Sequence, residues 1–207
     1  AWTCALTLIA VLAGYILGSI PSGLIIGKIF FHTDLRHYGS HNIGATNAWR
    51  VLGKKAGFWV FAFDFLKGAV GVLIGMYVGA AGSGQASAYA LILGGIMAII
   101  GHSCSLFLAF KGGKGVATGL GVITMLMPQA ALCVFVLWFI IVLFTRYVSL
   151  ASMMAAVSVP LQAYYWDEPW QYVIFGILAA AFVIYRHREN IHRLMNGNES
   201  KINFNGR

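Results

Sequence analysis

Acidic residues are scarce in this chain: six Asp and Glu among 207 residues, against fourteen Lys and Arg, with charged residues of both signs reaching only 10%. An ordinary soluble domain carries about a quarter of its residues charged, so that class is excluded. Cysteine is also rare. Cys4, Cys104 and Cys133 show no Cys-x-x-Cys spacing and sit in or beside apolar runs, which argues against a disulfide framework or a thiolate metal site. His-Glu-x-x-His and comparable ligand spacings are missing, so no metal and no cofactor is implied. A Walker-type nucleotide loop is missing too, because Leu108 stands where its first glycine belongs and Gly115 follows Lys114 in place of Ser or Thr.

What the chain has instead is apolar length. Hydrophobic residues make up 59% of it and its mean hydropathy is +0.79, which indicates an all-α polytopic membrane protein. Candidate spans run from Leu6 to Ile29, Ala56 to Tyr77, Tyr89 to Leu108, Tyr147 to Trp166 and Trp170 to Tyr185, each near the ~20 residues a bilayer requires. The first is too long for a signal-peptide core and follows no basic segment, so it reads as a retained span, weakened where Pro21 interrupts Gly18 to Gly23.

Charge decides how to read the remaining run, Val116 to Thr145. Lys28, Arg36, Arg50, Lys54 and Lys55 fall in one interval, Lys111 and Lys114 in another, and Arg186, Arg188, Arg193, Lys201 and Arg207 in the tail. Asp167 and Glu168 mark a loop without Lys or Arg, and Gly79 to Ser87 carries no charge. All basic loops share the cytoplasmic side only if the run is two segments broken near Met127-Pro128-Gln129. The expectation is therefore seven segments in a single domain over residues 1–207, N-terminus outside and C-terminus cytoplasmic, with a short or broken span near 116–127. Basic residues sorted by topology also explain the net charge of +8 without a nucleic-acid partner.

Polar chemistry gathers in a few segments. Phe110 to Thr118 reads Phe-Lys-Gly-Gly-Lys-Gly-Val-Ala-Thr. Gly112, Gly113 and Gly115 are expected to take positive φ and turn backbone N–H groups toward a phosphate, with Lys111 and Lys114 adding charge and a following helix adding its N-terminal dipole. A tight turn whose lysines merely follow membrane topology is the alternative. Asp34 to Arg50 offers Ser40, Asn42, Thr46 and Asn47, which can cap turns; Ser40 and Arg50 could instead bind phosphate or a polyol, and the paired donors of Arg36 and Arg50 suit phosphate oxygens. Asp64 and Lys67 lie three apart in an apolar run, share a helix face, and read as a structural ion pair. His102 reads as a packing residue at the membrane interface. Arg146, Tyr147 and Ser149 end the broken region, and in the tail helical spacing aligns His187, Asn190 and Arg193 or Leu194 on one stripe and Glu189 with Arg186 and Arg193 on another, unless the helix simply lies on anionic lipid.

Three of these segments carry a resemblance. Gly-Ser-x-Asn-x-Gly-Ala-Thr-Asn (Gly39 to Asn47) with Arg50, the segment Phe110 to Thr118, and Arg-His-Arg-Glu-Asn-Ile-x-Arg-Leu (Arg186 to Leu194) resemble the signature motifs of the bacterial acyl-phosphate:glycerol-3-phosphate acyltransferases. Gly18 to Pro21, Asp64 to Gly68 and Tyr147 to Ser152 are minor matches, in the same order along the chain. The resemblance implies transfer of a fatty acyl group from acyl phosphate to the sn-1 hydroxyl of glycerol 3-phosphate, at the cytoplasmic face of a bacterial plasma membrane. The expected partners are those two substrates and membrane lipid. His187, Asn190, Ser40, Arg50 and Lys114 take catalytic roles. Lys111, Gly112, Gly113, Gly115, Thr118, Asn42, Thr46, Asn47, Arg36, Ser149 and Arg193 bind substrate, while Glu199, Asp64 and Lys67 are structural. Two positions depart from the pattern: His41 stands where the family commonly has Gly, and Ser105 where it commonly has Pro. A backbone needing positive φ at position 41 would be strained by His.

Such a reaction must bring two anionic phosphates together. At about 5 Å and an effective dielectric near 20, each pair of charges interacts by roughly 3 kcal/mol, which calls for several fixed cations. The proton acceptor is either His187 or the donor's own phosphate. An acyltransferase of the His-x-x-x-x-Asp type is not indicated, since no histidine here has Asp five residues later. The competing class is a small transporter or channel for an organic phosphate, which would spread polar residues through the spans rather than gather them at one interface.

Overall fold

The computed structural model describes residues 2–83 and 88–204, with side chains over 8–81 and 88–204. Arg207, residues 84–87 of the uncharged segment and the side chain of Cys4 lie outside that description. All regular structure among the described residues is helical, in two compact units that meet in sequence at Leu126 and Met127.

The first unit holds α1 (Trp2–Ser19), α2 (Ser22–Phe31), α3 (Ala45–Leu52), α4 (Lys54–Ser83), α5 (Ala88–Ser103) and α6 (Val116–Leu126). α1 and α2 are one apolar stretch interrupted at Ile20–Pro21. Proline has no N–H to give the preceding turn, so the Leu17 carbonyl turns to the Ile20 N–H at 3.2 Å instead. The Ile20 carbonyl accepts from the Ser22 N–H and from Lys67 Nζ, each at 3.0 Å, so the break inside an apolar span leaves that oxygen satisfied. α4 runs beyond the apolar stretch Ala56 to Tyr77 at both ends, because no Pro or capping residue stops it before Lys54 or Ser83.

Small residues let these helices approach closely. A Cβ at Gly18 would lie 2.3 Å from the Ala98 carbonyl, joining α1 to α5, and one at Gly121 would lie 2.0 Å from the Phe65 carbonyl, joining α6 to α4. Apolar burial between helices gives little inside lipid, so this backbone-level packing carries the association.

The second unit holds α7 (Pro128–Thr145), α8 (Val148–Tyr165), α9 (Trp170–Arg186) and α10 (Arg188–Met195). Met127 caps α7 with Pro128 in its first turn, so the run from Val116 to Thr145 is two helices broken where the proline stands. α9 and α10 meet at a 60° bend around His187. Beyond α10 the chain turns at Gly197 (φ +70°) and comes back to the α7–α8 corner. There the Ile202 N–H donates to the Arg146 carbonyl at 2.8 Å.

Four described stretches are long and apolar enough to cross a membrane: Leu8–Phe31, Lys54–Ala81, Ala88–Leu108 and Pro128–Thr145. The bent α9–α10 pair makes a fifth if counted as one span. α6, at 11 residues, is too short for a full crossing.

Candidate active site

Asn47 organises the loop between α2 and α3. Its side chain is 1% exposed. Its amide nitrogen donates to the carbonyls of Leu35, Tyr38 and Asn42 at 3.2, 3.0 and 2.8 Å, and its oxygen accepts from the Ser40 N–H at 2.9 Å. Expected as a substrate ligand, Asn47 has its hydrogen-bonding capacity engaged in shaping the loop. Asn42 closes a local turn through the Gly44 N–H at 2.8 Å, and Thr46 lies half-buried in the first turn of α3. Ser40 is exposed at the loop's tip, while Arg50 is half-buried in the last turn of α3.

His41 takes φ +56°, a left-handed conformation that glycine adopts at less cost, and its Nδ1 lies 3.0 Å from the Arg36 carbonyl. Ser105 takes φ −64°, the angle a proline ring imposes, so its departure from the family pattern leaves the backbone unchanged. Arg36 is bound on two sides by Asp34, through Nε at 3.0 Å and Nη2 at 2.7 Å, with Lys28 3.2 Å from the same carboxylate. Hydrogen bonding from Arg36 holds the Asp34 carboxyl well below the usual carboxylate range, against a smaller opposing effect of burial.

The glycine segment differs from its expected form. Of its three glycines only Gly115 has positive φ, at +80°. Gly112 and Gly113 are small for another reason: a Cβ on Gly112 would meet the His102 carbonyl at 2.0 Å, and one on Gly113 would meet His102 Nε2 at 2.1 Å. Their N–H groups donate to the carbonyls of Ser103 (3.1 Å) and His102 (3.0 Å). The loop is thus seated on the C-terminal end of α5, where helix carbonyls want donors, and those two N–H groups do not form the phosphate cradle. The sharp turn before it comes from Ala109 and Phe110, at φ +48° and +63°. Beside it stand Lys114, exposed Lys111 and the first turn of α6, whose Thr118 hydroxyl is fully buried and without a hydrogen-bond partner among the described residues.

Beneath that loop lies a cluster that sequence reasoning saw only in part. Asp64, 2% exposed, pairs with Lys67 Nζ at 2.8 Å, accepts the Ser22 hydroxyl, and lies 3.4 Å from His102 Nδ1. Helical spacing pointed to Asp64 and Lys67. It could not point to Ser22 or His102, which come from other helices, although Ser and His set in apolar runs were a signal that something polar had to face them.

In the second unit the returning tail delivers Glu199. Its Oε1 accepts from Ser149 Oγ and Asn190 Nδ2, both at 2.7 Å, and its Oε2 accepts from Arg193 Nε at 2.8 Å. Ser149, Asn190 and Arg193 are thereby brought together. Burial pushes the Glu199 carboxyl up, but the donated hydrogen bonds from Ser149, Arg193 and Asn190 outweigh it and hold the group below its ordinary value. His187, 3% exposed at the α9–α10 bend, places Nδ1 2.8 Å from the Val183 carbonyl. A carbonyl only accepts, so neutral His187 carries its proton on Nδ1 and its basic nitrogen is Nε2.

Helices of this length and apolarity define an integral membrane protein, and comparison with known proteins says which. Residues 8–197 match the family model described as glycerol-3-phosphate acyltransferase. Glycerol-3-phosphate acyltransferase 2 of Moorella thermoacetica is 43% identical over 94% of this chain and 97% of its own. Glycerol-3-phosphate acyltransferase of Listeria monocytogenes is 44% identical over 97% and 98%. A crystal structure of PlsY (YgiH), an integral membrane glycerol 3-phosphate acyltransferase in its glycerol 3-phosphate form, superposes with a TM-score of 0.87 at 44% identity over 95% of this chain and 96% of that one. The lysophosphatidic acid form gives 0.84 at 42%, over 95% of each. The chain belongs to the glycerol-3-phosphate acyltransferase family.

Proposed function

We propose that the protein transfers a fatty acyl group from acyl phosphate to the sn-1 hydroxyl of glycerol 3-phosphate, producing lysophosphatidic acid and inorganic phosphate. The observation that carries this reading is the family match over residues 8–197, which takes in all three polar segments described above. Solved relatives in a glycerol 3-phosphate form and a lysophosphatidic acid form correspond to acceptor and product. Both units serve one membrane domain of seven segments, N-terminus outside, with the basic loops on the cytoplasmic side of a bacterial plasma membrane.

Acyl phosphate is already activated, so no covalent acyl-enzyme is needed. The acceptor oxygen bonds to the carbonyl carbon, the bond from that carbon to the phosphate oxygen breaks, and phosphate leaves with the electron pair. Lys111, Lys114 and the first turn of α6, with Gly115 and Thr118, hold the donor phosphate and its developing charge. Ser40 and Arg50, with Arg36, Asn42, Thr46 and Asn47 shaping their loop, serve the acceptor. His187 and Asn190 act on the acceptor too, and Glu199 orders Asn190, Ser149 and Arg193.

The donor phosphate is the favoured proton acceptor, and replacing His187 by Gln tests this. Turnover should fall by less than ~10²-fold, with the glycerol 3-phosphate KM raised and the donor KM near wild type. A fall of ~10² to 10⁴-fold at unchanged KM would make His187 the general base. For the reaction itself, purified protein in detergent is given acyl phosphate, acyl-CoA and acyl carrier protein donors separately. Phosphate release with acylated glycerol 3-phosphate should follow from acyl phosphate alone, and no acylated product from any donor would overturn the reading.

A further inference from the structure

Both loops of the first unit that the functional reading assigns to phosphates trace back to one buried carboxylate. Asp64 sits in α4, 2% exposed, and cannot itself reach a soluble substrate. Two arms leave it. One runs through the Ser22 hydroxyl into α2. The next residue, Gly23, lies so close to the α2–α3 loop that a Cβ there would stand 1.8 Å from the Ile43 carbonyl. The same arm is braced by Lys67, which pairs with Asp64 at 2.8 Å and holds the Ile20 carbonyl at 3.0 Å. The second arm runs through His102, 3.4 Å from Asp64 on the Nδ1 side and pressed against Gly113 on the Nε2 side. At their outer ends the arms meet in a small buried cluster of Leu24 from α2, Ile43 from the first loop and Leu108 from the approach to the second.

We propose that Asp64 is a positioning residue shared by both loops, the Ser22 arm setting the stretch 39–47 that serves the acceptor and the His102 arm setting the stretch 110–115 that serves the donor. The assignment of substrates to arms rests on the function proposed above; the division into two arms does not. A carboxylate in a dry interior keeps its donors in fixed places, because each lost hydrogen bond leaves a buried group unsatisfied. Displacing a positioning element by about 1 Å costs on the order of 10²-fold in rate, so a remote anchor is felt at the reacting atoms.

Hydrogen exchange on the full chain in detergent tests the two arms without reference to activity. Ser22→Ala should speed exchange in 39–47 and leave 110–115 as in wild type. His102→Asn should do the reverse, and Asp64→Asn should speed both. Steady-state kinetics then test the substrates: Ser22→Ala should raise the glycerol 3-phosphate KM by roughly tenfold and the donor KM less than twofold, and His102→Asn the opposite. Ser22 and His102 variants that fold and loosen both loops alike, or neither, would overturn the shared anchor. Arms that separate with the substrates exchanged would leave the anchor standing and overturn the loop assignment instead.

Discussion

Asp64 and Glu199 are both buried carboxylates, one in each unit, and each gathers three partners by an opposite route. Asp64 stands inside a 30-residue helix whose own periodicity brings Lys67 onto the same face, with Ser22 and His102 arriving from neighbouring helices. Glu199 stands in a tail without regular structure, and reaches Ser149 only because Gly197 turns the chain and Ile202 fastens it to Arg146. The difference shows what each setting requires. In a span the counter-charge comes with the helix, and polar groups of neighbouring helices complete the surroundings of the ion. At the membrane edge a carboxylate can arrive late and bind groups already in place.

The largest test of that contrast is Asp64→Ala, which strands the Lys67 ammonium in the interior. A loss of about 3–5 kcal/mol is expected, read from thermal unfolding in detergent. A loss below ~1 kcal/mol would mean that Lys67 finds another partner and that the helix-borne pair is not essential. Glu199→Ala removes the acceptor of three donors closer to water, and should cost about 1.5–3 kcal/mol. It should also speed proteolysis of the tail beyond α10; an unchanged digestion pattern would show that Ile202 alone holds the tail.

A subtler difference lies in pH. Glu199 titrates below its ordinary value of 4.5 in the folded protein. Its contribution to stability is therefore complete above about pH 4.5 and is lost as pH falls through the folded value, where the unfolded chain binds more protons. Glu199→Gln should remove this part of the acid sensitivity, so that the gap in melting temperature between wild type and variant narrows below pH 4.5. A gap constant down to pH 3.5 would contradict the hydrogen-bonded carboxylate. The smallest effect is expected where the carboxylate is neither in a span nor buried in a hub. Asp34→Asn breaks the pairing with Arg36, which is 45% exposed. Stability should change by about 0–1 kcal/mol, shrinking further in high salt.

These hubs also mark how far the sequence could be read. Apolar length and two prolines made the helices and both breaks legible, at Pro21 and at Pro128, because proline acts on the backbone wherever it stands. Asp64 with Lys67 was legible for the same local reason, a spacing of three on a helix. His102 looks like packing in the sequence, since the carboxylate it faces lies on another helix and no periodicity connects them. Gly112 and Gly113 serve a different end from the one their sequence suggests: composition does not tell a glycine needed for positive φ from one needed so that backbone and imidazole can touch. His41 shows the converse, a position with positive φ that carries no glycine. The tail's turn through Gly197 had no signal strong enough to join Glu199 to a serine fifty residues earlier.

The closure of the first span by Lys67 has a consequence for biosynthesis. The Ile20 carbonyl and the ammonium that satisfies it are 47 residues apart, and chains leave the ribosome N-terminus first. A nascent polypeptide halted before Lys67 would hold that oxygen by the Ser22 N–H alone, its second donor not yet made. The break in the first hydrophobic segment gains its full set of donors only when the next segment joins it.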